Sequence, residues 1–113
     1  MSKRYCLALD LKNDAKLIEK YKWHHSPENL WPQINENIKK AGVLDMEIYL
    51  FGTRMFMIME VDDTFSFERM DEINQHPKSV EWEELMWNFQ EPVPGSKPGE
   101  KWVLMERVFK LPE

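Results

Sequence analysis

Residues 54–61 run Arg-Met-Phe-Met-Ile-Met-Glu-Val, a strand-length segment that is apolar on both faces as far as Met59, with Glu60 as its exception. Side chains of a strand alternate between its two faces, so a strand lacking a polar face has to be covered on both sides. Met46–Phe51 reads as a second strand, and Gly52-Thr53 between the two predicts a tight antiparallel hairpin. Within Met46–Phe51, alternation puts Glu47, Tyr49 and Phe51 on one face and Met46, Ile48 and Leu50 on the other. Any fold for this chain must bury the hairpin between two layers, one of helices and the other of something else.

The remaining elements follow from periodicity and punctuation. Arg4–Leu11 is short and apolar and reads as a strand, with Asn13-Asp14 as the helix start behind it. Leu17, Ile18 and Tyr21 then fall at helical spacing. Pro27 disfavours helical geometry at Ser26, so this helix should end by His25. Pro32 suits the first turn of a second helix whose inner stripe is Ile34 and Ile38, with Lys39-Lys40 near its end and Gly42 as its C-terminal cap. Ser66 to Gln75 reads as helical, Pro77 interrupts, and Ser79 to Phe89 resumes helical spacing. Glu91–Lys101 holds three Pro and two Gly and is an irregular loop. Trp102–Leu111 closes the chain as a strand. The order strand, helices, strand, strand, helices, strand is the βαββαβ pattern of an α+β, ferredoxin-like domain. Helices cover only one face of such a sheet. Two sheets packed face to face would hide the other, which predicts a dimeric α+β barrel.

Composition narrows the functional classes. A chain of 113 residues fits a single domain, here 1–113. A net charge of −5 argues against a nucleic-acid surface, which needs clustered Lys and Arg. No apolar run approaches the ~20 residues that span a bilayer. The start MSKRYCLALD does not read as a signal peptide. The single cysteine, Cys6, allows no internal disulfide, and a cytoplasmic protein is the expectation. No phosphate loop or nucleophile elbow is present. His24 and His25 are adjacent and cannot converge on a metal from one helical face.

The chemistry concentrates in Tyr21–Pro32, which holds a tyrosine, two histidines and two tryptophans where one helix ends and the next begins. Tyr21 and His25 are four apart and share a helix face. Imidazole moves protons near neutral pH, and flat indole and phenol rings can lie against the C–H face of a sugar. His24 points some 100° away and is expected to be solvated, and His76 before Pro77 to be an exposed loop residue. Trp31 either touches a ligand or plugs the start of the second helix. Trp82 and Trp87 are five apart on one helix, so both cannot face one pocket closely.

These residues, in this order, resemble the L-rhamnose mutarotase family over nearly the whole chain. The pieces are Tyr21-x3-His25 followed by Trp31-Pro32, Gly42-x5-Ile48-Tyr49-Leu50, Trp82, and the closing Glu106-Arg-Val-Phe109-x-Leu-Pro112. The resemblance implies a sugar mutarotase that works as a homodimer without metal or cofactor. It places the proton donor on His25 and sugar contacts on Tyr21 and Trp82. Relatives acting on rhamnose carry a tyrosine where this chain has Met46 and two adjacent tryptophans where it has Trp82-Glu83. Two extra residues also separate His25 from Trp31. These departures fall on sugar-contacting positions, Met46 among them, and so bear on which sugar is used. L-fucose, another 6-deoxy hexose, is favoured, with L-rhamnose next.

Mutarotation also needs a second proton-handling group. Glu47, Glu60 and Glu106 on strands are candidates, with Arg54 and Arg107 to pair with them. The catalytic group is expected in a dry hollow enclosed by two subunits. Two other readings fit the same residues: a cofactor-free oxygenase of the same barrel fold, and a non-catalytic ligand-binding module.

Overall fold

The computed structural model describes residues 2–113. β1 (Lys3–Leu11) leads into α1 (Ala15–His24) and α2 (Pro32–Lys40), then the hairpin β2 (Val43–Phe51) and β3 (Arg54–Val61). α3 (Phe67–Ile73) and α4 (Pro77–Trp87) follow, and two short strands, β4 (Gln90–Glu91) and β5 (Val103–Leu104), close the chain. This is the expected α+β order, with the last strand divided in two.

The punctuation residues act locally. The Asp14 carboxylate accepts the backbone N–H groups of Lys16 and Leu17 at 2.9 and 3.1 Å and so starts α1. Pro32 and Pro77 occupy first turns of helices, where a missing N–H costs nothing. Pro77 therefore opens α4 instead of interrupting a helix. His76 is its N-cap, with Nδ1 accepting the Lys78 N–H at 3.1 Å. Gly42, at φ 98°, ends α2 where a Cβ would meet the Asp62 and Thr64 side chains at 2.8 and 2.9 Å.

The sheet is antiparallel in the order β2-β3-β1-β4, and β5 also pairs with β1. The two short strands are one edge strand with an excursion in its middle. Leu11 and Asp10 face Gln90 and Glu91, and Ala8 and Leu7 then face Val103 and Leu104. Residues 92–102 leave the sheet and return to it. The strand expected over Trp102–Leu111 pairs only at Val103 and Leu104, with the Met105 N–H reaching the Cys6 carbonyl at 2.8 Å. Beyond Met105 no layer formed by the described residues lies against the tail, and Val108, Phe109 and Leu111 are exposed. A strand gains most of its stability from packing of its faces, and this segment has none.

Helices cover one face of the sheet, burying Leu7, Leu9, Leu11, Met55, Met57, Met59 and Val61. The other face carries Cys6, Ala8, Phe56, Ile58, Glu47, Tyr49 and Phe51. Within one chain it is open: Phe51 is 90 % and Tyr49 54 % exposed. On the helical side the core divides. Leu9, Leu11, Tyr21, Ile34, Met55, Trp82, Met86 and Phe89 form one cluster, and Leu7, Ala41, Val43, Met57, Met59 and Val61 the other. Among the described residues, half-buried Ile38, Ile48 and Trp102 touch both clusters. The space between sheet and helices is consequently unfilled at the centre.

Candidate active site

That unfilled space is a cleft of about 960 Å³, at the large end of the ~300–1,000 Å³ usual for small-molecule pockets. Its apolar wall is the sheet face with Met46, Ile48, Met57 and Met59, and its aromatic wall includes Tyr21, Trp82 and Trp102. A smaller space of about 210 Å³ opens on the other side of Tyr21 and His25, toward Leu11, Leu50 and Met55. The cleft lies within one chain, between its sheet and its helices. The sheet-face residues Glu47, Tyr49, Phe51, Phe56 and Ile58, on the side away from the helices, do not line it. Sheet–helix packing here stops short of the centre, so a single chain supplies the walls.

His25 sits at the C-terminal end of α1, half-buried on the cleft wall. Its Nδ1 lies 2.9 Å from the Tyr21 carbonyl. A carbonyl only accepts, so Nδ1 carries the proton and Nε2 keeps its lone pair. The ring stacks on Tyr21 at 4.2 Å, tilted 31°, and meets Trp82 edge-on at 5.3 Å. Burial pushes the imidazole below its ordinary pKa, partly offset by the Tyr21 carbonyl and reinforced by neighbouring His24. The resting ring at neutral pH is therefore a neutral base, able to donate once it has accepted a proton.

Tyr21 is 5 % exposed. Burial raises its phenol to about 12, with the Gln90 side chain opposing that rise and the Glu83 charge adding to it. The hydroxyl stays protonated and can donate. Met46 and Trp82 line the cleft beside these two residues. Trp31 does not line it. It packs edge-on behind Trp82 at 5.2 Å, with the Lys78 ammonium 5.6 Å from its ring centre. Trp87 faces away, beneath the Lys101 ammonium at 4.4 Å.

His24 is not solvated as expected. It packs against Trp23, Phe89 and Trp82 at 5.0, 5.6 and 6.4 Å, its Nε2 is buried without a partner, and burial lowers its pKa. The strand glutamates do not reach the cleft. Glu47 lies on the open face, accepting the Tyr49 hydroxyl at 3.2 Å, and Glu60 accepts from Ser2 at 2.9 Å. Glu106 lies in the exposed tail, and Arg54 pairs with Asp10. Asp45, Asp71, Glu83 and Glu100 all line the cleft, and of these it is the Glu83 charge, one residue after Trp82, that acts on the Tyr21 hydroxyl. The place of Glu83 after Trp82, at one of the departures from the family pattern seen in the sequence, was the signal for it.

A profile of the L-rhamnose mutarotase family matches residues 4–111. An L-fucose mutarotase from Xanthomonas campestris is 39% identical over 111 residues, covering 97% of this chain and 89% of the relative. The chain belongs to the L-rhamnose mutarotase family. A UPF0734 protein of Dictyostelium discoideum is also 39% identical, over 116 residues, with 96% of this chain and 90% of the relative covered. Among solved structures, an L-rhamnose mutarotase from Formosa agariphila superposes with a TM-score of 0.69 at 19% identity, covering 97% and 99% of the two chains. Tetracenomycin F2 cyclase from Streptomyces glaucescens does so at 0.63 and 17%, with the same coverage. These two likenesses establish the fold, the protomer of a dimeric α+β barrel. Like other members of its family, this protein is a sugar mutarotase.

Proposed function

We propose that the protein interconverts the α and β anomers of a 6-deoxy hexose, L-fucose first and L-rhamnose next, by general acid–base catalysis at His25. The observation that carries this reading is the His25 ring. Its Nδ1–H is tied to the Tyr21 carbonyl, its Nε2 is free, and it stands in a cleft walled by Tyr21, Trp82 and Met46. The neutral imidazole takes the proton of the anomeric hydroxyl. The C1–O5 bond breaks as C1=O forms, and the imidazolium returns the proton to the ring oxygen. Rotation of the open aldehyde about C1–C2 and the reverse steps give the other anomer. The two oxygens share one carbon, so one imidazole can serve both. The Tyr21 hydroxyl, held protonated, can hydrogen-bond the ring oxygen as charge develops there. The net reaction moves no electrons, so it has no need of a redox group.

Support for the sugar comes from the cleft and from the Xanthomonas relative. An apolar wall with Met46, Met57 and Met59 suits a methyl in place of a hydroxymethyl group. The open apolar sheet face supports a homodimer that packs two such faces together, with the single free Cys6 fitting a reducing, cytoplasmic setting. Among the described residues no helix is long and apolar enough to cross a membrane.

The test is exchange NMR on free L-fucose, L-rhamnose and D-glucose. Faster exchange between the α and β anomeric signals of the deoxy sugars supports the reading. Silence with all three sugars overturns it in favour of an oxygenase or a non-catalytic module.

A further inference from the structure

We infer that Gln90 and Glu83 form a hydroxyl-reading end of the cleft, which recognises ring hydroxyls of the sugar remote from its anomeric carbon. The inference rests on the mutarotase reading of the same site and adds to it the groups that set specificity.

Gln90 is 4 % exposed, lines the cleft, and its Oε1 is buried with no hydrogen-bond partner. A buried carbonyl left unpaired is costly in an empty protein, and few native ones persist without a reason. A carboxamide can turn about its last torsion, so it can offer a hydroxyl either an acceptor or a donor. The rest of its amide is hydrogen-bonded to the Tyr21 hydroxyl, and the Glu83 carboxylate is close enough to Tyr21 to influence its ionisation.

Glu83 is held by a residue from the other end of the sequence. Lys101, on the 92–102 excursion, donates to the Glu83 carboxylate at 2.5 Å and to its carbonyl at 3.3 Å. The ammonium is fixed in turn over the Trp87 ring at 4.4 Å. Only Oε2 of the carboxylate takes this bond, and the other oxygen remains able to accept from a sugar hydroxyl. Charge-assisted bonds of this kind are about twice as strong as neutral ones. Gln90, Glu83 and Lys101 thus come from the edge strand, α4 and the excursion to line the cleft that Met46, Met57 and Met59 wall on the sheet side. A site built this way disfavours a substrate that lacks the hydroxyl, because the buried Gln90 oxygen is then left unpaired.

The test is a substrate–variant cycle. L-fucose and its 2-, 3- and 4-deoxy analogues are compared on the wild type, Gln90→Met and Glu83→Gln, reading kcat/KM by anomer exchange and affinity by titration calorimetry. In the wild type, at least one deoxy analogue should fall roughly ten- to a hundredfold below L-fucose. Each variant should lose a similar factor on L-fucose and no further factor on the analogue missing its partner hydroxyl. Sugar-free Gln90→Met also gives up the amide's hydrogen bond to the buried Tyr21 hydroxyl and should melt lower, so the dependence on the sugar's hydroxyls is what reads recognition. Equal losses on every sugar would assign the amide a structural role and overturn the inference. Wild-type turnover that ignores every deoxygenation would overturn it too. Hydroxyl-dependent binding without any anomer exchange supports the inference while refuting the mutarotase reading.

Discussion

Replacing His25 by Asn separates the two nitrogens of the imidazole. The Asn amide nitrogen falls near the place of Nδ1, so the bond to the Tyr21 carbonyl at 2.9 Å can persist, while Nε2 and its lone pair vanish. If Nε2 carries the proton between the two anomeric oxygens, its loss should cost 10²–10⁴-fold in kcat, or about 3–5 kcal/mol of transition-state stabilisation. The stability cost is separate and smaller. The ring contacts with Tyr21 at 4.2 Å and Trp82 at 5.3 Å are given up, which for a half-buried ring is about 1–2 kcal/mol. For a domain of this size that lowers Tm by roughly 5–15 °C. Exchange NMR on L-fucose, corrected for the spontaneous rate in the same buffer, reads the first effect, and a thermal melt reads the second. KM should stay within roughly threefold, because Tyr21 and Trp82 still wall the cleft. A folded His25→Asn protein exchanging anomers within about fivefold of wild type would refute the proton-carrying role outright.

Three further outcomes follow from the same geometry. The imidazoles of His25 and His24 are held below their ordinary value by burial. Between their folded pKa values and about 6.5 the unfolded chain binds more protons, so stability is full above pH ~6.5 and declines as pH falls beneath it. Melts from pH 7.5 to 5 should show this decline, and His25→Asn should show less of it. Gly42→Ala forces a Cβ into a φ of 98° and within 3 Å of Asp62 and Thr64. About 2 kcal/mol or more should be lost, visible as a Tm drop of roughly 10 °C. Ile58→Lys puts a charge on the open sheet face, and sedimentation should then give the 13.7 kDa monomer where the wild type gives twice that mass. A wild type that is monomeric at micromolar concentration would refute the pairing of sheet faces.

Where the sequence was legible, the cause was local. Asp14, Pro32, Gly42, Gly52 and Ser66 mark boundaries through their own backbone chemistry, and each marks a boundary in the fold. The alternation of Met46–Phe51 correctly separated Met46 on the cleft side from Glu47 on the open side. Pro77 misled because one residue serves two purposes: it cannot continue a helix and is well suited to begin one. The solvated place given to His24 failed for a tertiary reason. A 100° offset from His25 says where a side chain leaves the helix, but Trp82 and Phe89 arriving from elsewhere decide whether water meets it.

The polar end of the cleft was the least legible part, and the broken edge strand explains why. Gln90 and Glu91 form the first half of that edge and Val103 begins the second. The excursion between them reads locally as a Pro- and Gly-rich loop with no periodicity to exploit. Its effect is tertiary: it carries Lys101 onto Glu83 and Trp102 into the gap between the two core clusters. Had the edge been continuous, no chain would stand at that side of the cleft to hold the carboxylate. The interruption weakens the sheet edge by the lost ladder bonds opposite Leu9 and in return supplies one wall of the site. Fold stability and substrate recognition are therefore set against each other along β1. Closing the edge with a short turn in place of residues 92–102 should give a protein that melts higher and discriminates its sugars less.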